Sequence, residues 1–83
     1  MSALAAEERE LFVRHAALDG RSIARMRVID RGDSCVVEAE VFPRDAPASH
    51  AGPYAFGDVG QATAFVTEAM ESLLFLGCDV RTT

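Results

Sequence analysis

Apolar and polar residues alternate most cleanly between Ser22 and Phe42. From Ser22 to Arg31, Ala24, Met26 and Val28 fall on one side, and Arg25, Arg27 and Arg31 on the other. From Ser34 to Phe42, Cys35, Val37, Ala39 and Val41 oppose Glu38 and Glu40. A period of two is the signature of a strand with one buried face, and Gly32-Asp33 between the runs suits a two-residue hairpin turn. That loop sets Arg31 against Ser34, Arg27 against Glu38 and Arg25 against Glu40. On the other face it sets Val28 against Val37 and Met26 against Ala39. A one-residue slip would bring Met26 opposite Glu38, so the pattern selects its own register.

The flanking segments predict helices. From Ala3 to Leu18, Leu4, Leu11 and Leu18 recur at heptad spacing beside Phe12 and His15, with Glu7, Glu10 and Arg14 at helix-friendly polar positions. Asp19-Gly20 then supplies the residues that follow a helix end. Leu11-Phe12-Val13 also suits the opening of a short strand that turns at Leu18-Asp19-Gly20; the heptad spacing favours the helix. Pro43 to Gly52 reads as a loop and Pro53 to Gly57 as a short third strand. Asp58 caps a second helix, Gln61 completes a capping box, and Val59, Ala62, Val66, Ala69, Met70 and Leu73 form its buried stripe up to Gly77. Cys78 to Arg81 has room for a short edge strand.

The expected architecture over residues 1–83 is one small α+β domain in the order α-β-β-β-α. Both helices would lie on one face of a three-stranded antiparallel sheet in a two-layer sandwich. This order resembles the double-stranded-RNA-binding domain. That family meets phosphates with a Lys-rich start to its last helix. Here the matching stretch is Asp58-Val59-Gly60-Gln61-Ala62-Thr63, which has no basic residue, so the resemblance implies a fold and argues against RNA binding.

Charge points the same way. The 83 residues carry a net charge of −5, and all eight basic residues are Arg. Such a chain repels nucleic acid and anionic lipid unless its Arg residues cluster. Arg21, Arg25, Arg27 and Arg31 do share one strand face, but Glu38 and Glu40 stand opposite two of them. The start of the chain has neither the basic residues nor the apolar run of a secretory signal, and no apolar stretch approaches the roughly 20 residues that cross a bilayer. With two isolated cysteines, this favours a reducing cytoplasm.

Chemistry-bearing constellations are few. His15, His50, Cys35 and Cys78 lack the close pairing of zinc ligands, and no cofactor motif is present, so no metal or cofactor is expected. Cys35 with His15 is the one combination resembling a nucleophile and base, and both are expected to point into the core. The balance leans away from an enzyme. What remains is apolar surface on the sheet face without helices, where Ile23 pairs with Phe42 and Ile29 with Val36 around the Arg–Glu pairs. Phe75 lies opposite the buried stripe of the second helix. The expected function is therefore a non-catalytic interaction or accessory module, homodimeric through Ile23, Arg25, Arg27, Ile29, Val36, Glu38, Glu40 and Phe42, with Phe75 as a further contact. The alternatives are a small-ligand-binding protein or enzyme using the 43–52 loop as a lid, and a nucleic-acid binder.

Overall fold

The computed structural model describes residues 8–82. Among these residues are a five-stranded antiparallel sheet and a single helix, in the order β1 (Arg9–Leu18), β2 (Arg21–Asp30), β3 (Cys35–Val41), β4 (Ser49–Phe56), α1 (Val59–Phe75) and β5 (Asp79–Thr82). The strands lie side by side as β4-β3-β2-β1-β5. The expected α-β-β-β-α sandwich is therefore wrong, and the resemblance to the double-stranded-RNA-binding domain falls with it.

The error lies at the first element. Residues 9–18 form a strand; residues 3–7 of the expected helix lie outside the described residues. Asp19 and Gly20 do not end a helix but turn a hairpin, with Leu18 paired to Arg21 and positive φ at both turn residues (53° and 81°). That is the backbone a two-residue hairpin needs to match the twist of its strands, and Asp-Gly supplies it. Ala and Leu favour a helix locally, but a ten-residue strand here can pair along β2, bury Ala16 beneath α1 and half-bury Phe12. Tertiary pairing overrides local propensity.

The central hairpin has the register the sequence predicts. Arg25 pairs with Glu40, Met26 with Ala39, Arg27 with Glu38, Val28 with Val37 and Ile29 with Val36. Arg31 N–H donates to Ser34 O at 2.9 Å across the turn. The third strand is longer than expected: β4 begins at Ser49, so the last four residues of the 43–52 loop belong to the sheet. Opposite Glu38, β4 carries two residues, Gly52 and Pro53, where β3 has one. Gly52 has φ of +87°, and a Cβ there would meet Val37 O at 2.9 Å. The bulge and the proline blunt this outer edge against further strand pairing.

The helix is capped at both ends as its sequence implies. Asp58 Oδ1 accepts from Gln61 N–H at 2.8 Å, while Gln61 Oε1 accepts from Gly57 N–H at 3.1 Å, one residue before the cap. At the far end Gly77 N–H donates to Leu74 O and Cys78 N–H to Leu73 O, the paired bonds of a Schellman motif. Ala62, Val66 and Met70 are buried against the sheet, and Phe65 meets Tyr54 and Phe56 at ring-centroid distances of 5.1 and 5.3 Å. Val59, expected in the stripe, is exposed instead. The core is thus Ala16, Val28, Cys35, Val37, Ala62, Val66, Met70 and Cys78. It lies between α1 and one sheet face, and the tail strand β5 closes it by pairing with Arg14 to Ala17 of β1.

Candidate functional site

Two surfaces remain once the core is assigned: the sheet face that α1 leaves open, and the end of α1 itself. On the open face the strand registers place Arg81, His15, Arg25, Glu40 and His50 in one row that crosses all five strands. The next row carries Val13, Arg27 and Glu38, and the one after it Glu10, Ile29, Val36 and Ala55. Nearly every charge at the centre of this face has a partner. Arg25 Nη2 donates to Glu40 Oε1 at 3.0 Å, and His50 Nε2 lies 3.3 Å from Glu40 Oε2. Arg27 donates one Nη to Glu38 at 2.8 Å and the other to Glu10 at 3.1 Å. The hydrogen bond that Arg27 donates to Glu38 raises the Arg27 pKa above its ordinary value; desolvation opposes this, and the negative fields of Glu38 and Glu10 add to it. Arg25 Nε is buried with no hydrogen-bond partner among the described residues.

A shallow depression of about 240 Å³ lies over Arg25, Arg27, Glu38, Ala39, Glu40 and His50. Its charged tips are engaged with one another, so it presents no unpaired base or nucleophile. His15, expected on the buried side of a helix, stands half-buried on this face instead, because β1 is a strand. Cys35 sits on the opposite, helix-covered face, so the sheet itself separates the two members of the one catalytic pair the sequence offered. Burial pushes the Cys35 thiol pKa up, and the negative fields of Asp30 and Asp58 add to the rise. Cys78 is buried in the same core, whereas His50 is exposed on β4. Among the described residues no group of acidic, His or Cys side chains is arranged to hold a metal ion.

The residues expected to form an interaction surface are distributed unevenly. Arg25, Arg27, Glu38 and Glu40 share the open face as expected. Ile29 and Val36 share it too, but they are only 5% and 4% exposed, and Val13 beside them 7%. The bridge from Arg27 to Glu10 spans the rows in which Val13 and Ile29 lie. Ile23 is the extra residue of a bulge, since Ala24 pairs with Ala16 and Ser22 with Ala17; it packs against the helix-side core. Phe42 is half-buried just past β3, its N–H donating to Ile23 O at 2.9 Å.

Phe75 is the opposite case. Its side chain is 94% exposed, with Leu76 at 74% and Leu74 at 53% on either side. The outer stripe of α1 leading to it runs through Ala64, Glu68 and Glu71, all exposed. Neither Glu makes a salt bridge among the described residues, and the last helical turn has no basic side chain. Acidic groups near a helix C-terminus are disfavoured by its dipole, so they add nothing to the helix they sit on. Beside this tip, Phe12, Arg14, Val66, Met70, Leu74 and Val80 line most of a groove of about 170 Å³ between α1 and the β1–β5 edge. The Arg14 guanidinium lies 4.4 Å over the Phe12 ring. Leu76 and the groove lie outside the residues singled out from sequence; the signal for Leu76 was the apolar run Leu73-Leu74-Phe75-Leu76, which exceeds what one buried helix stripe needs.

No family model, curated protein or solved structure matches the chain. Among the described residues no helix is long and apolar enough to cross a membrane.

Proposed function

We propose that this chain is a non-catalytic protein-interaction module that presents the tip of its helix to a partner. The observation that carries the reading is the exposure of Phe75, flanked by Leu74 and Leu76, at the end of a well-capped helix. A buried side chain of this size contributes about 1.5–3 kcal/mol relative to its exposed state, so leaving three together in water forgoes several kcal/mol. The cap makes the tip a fixed feature rather than a frayed end, which lowers the ordering cost of association. The open face supports the reading from the other side, because its paired charges offer neither chemistry nor much fresh apolar area.

The test is a photo-crosslinking residue placed at position 75 and, as a control, at the exposed helix position 64, in cells that make the protein. A discrete adduct at 75 and none at 64 is expected. Equal labelling at both positions, or no discrete adduct at 75, removes the proposal.

A further inference from the structure

The structure places an exposed aromatic knob and an apolar-floored hole of matching size on one side of the same chain. Resting on the interaction reading above, we infer that the partner is a second copy of this chain, with Phe75 of each copy seated in the groove of the other. The groove between α1 and the β1–β5 edge has a volume of about 170 Å³. An apolar cavity of about 150 Å³ accepts a benzene ring, so a groove of this volume has room for the ring of a phenylalanine. Its floor is apolar (Phe12, Val66, Met70, Val80), which suits that ring.

Charge agrees with size. The outer stripe beside the knob carries Glu68 and Glu71, neither with a salt-bridge partner among the described residues. The rim of the groove carries Arg14, whose hydrogen bond is to the neighbouring carbonyl of Val13 and whose guanidinium lies on Phe12. An incoming Phe75 thus meets an apolar floor beside a cation, and Glu68, which accompanies it, meets Arg14, while Glu71 belongs to the rim of its own groove. Knob and hole are also adjacent. Glu71, one helical turn before Phe75, lines the groove, and so does Leu74. A two-fold axis between them satisfies both contacts at once and closes the assembly at two chains.

The test is analytical ultracentrifugation of the purified wild type and two variants at exposed positions, where folding is not at stake and circular dichroism checks it. The wild type is expected to sediment as a dimer at about 100 µM. Phe75→Ser removes the knob, and Thr67→Trp, at an exposed helix position that lines the groove, fills it; each alone is expected to weaken self-association at least tenfold. Mixed, they retain one knob and one open groove between them, and a mixed dimer is expected to form more tightly than either variant pairs with itself. A wild type that stays monomeric or grows into open-ended oligomers overturns the inference. So does a wild-type dimer that Phe75→Ser leaves unchanged, or a mixture no tighter than its components. A monomeric wild type that still crosslinks another protein through position 75 leaves the interaction reading standing and refutes the second copy alone.

Discussion

The two faces of the sheet bury comparable residues by different means. On the helix side Val28, Val37 and Cys35 are covered by Ala62, Val66 and Met70, a second layer of apolar side chains. On the open side Val13, Ile29 and Val36 are almost as inaccessible with no helix among the described residues above them. There the neighbouring side chains are long and charged, and they are bridged to one another: Arg27 to Glu10 and Glu38, Arg25 to Glu40. Charged side chains have aliphatic stems that cover apolar surface while their heads stay wet. The Arg27–Glu38 pair in the row of Val13, and its bridge to Glu10 in the row of Ile29 and Val36, therefore reduce the need for a second layer there. What distinguishes the faces is the penalty for a misplaced charge, which is severe under the helix and slight in the open.

The sharpest way to break that contrast is to move one residue along β3. Val37 is fully buried on the helix side and Glu38 half-buried on the open side. Val37→Asp sets an unpaired carboxylate in the core and is expected to cost about 4 kcal/mol or more, enough to unfold a domain of this size. Glu38→Gln removes one of two partners of Arg27 and is expected to cost about 1 kcal/mol or less. Urea denaturation of both variants decides it. Similar losses would mean that the open face is as closely packed as the core.

A smaller effect probes the ion pairs themselves. Arg27→Glu would bring three carboxylates together with Glu10 and Glu38, for a loss on the order of 1 kcal/mol. Adding Glu38→Arg restores an opposite-charge pair and is expected to recover most of the loss. If the double variant is no more stable than the single one, the cross-strand pairing is not what holds this face.

The same contrast explains how much was legible in the sequence. The register of β2 and β3 was readable because apolar and charged alternation agree on a single pairing, and α1 because its caps, Asp58 with Gln61 and Gly77, mark both ends. The first strand was not, since Ala, Leu, Glu and Arg in residues 9–18 favour a helix locally and only the pairing with β2 decides otherwise. The start of β4 was hidden by Gly52 and Pro53, which read as loop residues but form a bulge. A bulge also turned Ile23 to the helix side, and alternation cannot anticipate an extra residue. Of the candidate surface, the charged members were readable from period two. The burial of Ile29 and Val36 depends on neighbours in three dimensions and was not.

The smallest effect belongs to the helix-covered face at high pH. Cys35 lies in the core, where desolvation first, and the fields of Asp30 and Asp58 after it, raise its thiol pKa. In the unfolded chain that thiol is hydrated and ionises near its ordinary value of about 9. Above that pH the unfolded state therefore releases a proton that the folded state retains. The stability associated with the neutral thiol is fully present below the unfolded value and declines as pH rises toward the folded one. Replacing the thiol removes this slope. Cys35→Ala is expected to be less stable than wild type at neutral pH, because it leaves a small cavity. Its stability should nevertheless fall less steeply between about pH 8 and pH 10, so the gap narrows as the solution becomes alkaline. Tyr54 and the arginines are common to both proteins, so their contributions cancel in the difference. Chemical denaturation at three pH values across that window measures it. Parallel slopes for the two proteins would show that Cys35 ionises as readily in the fold as outside it, and that the core beneath α1 is wetter than its packing implies.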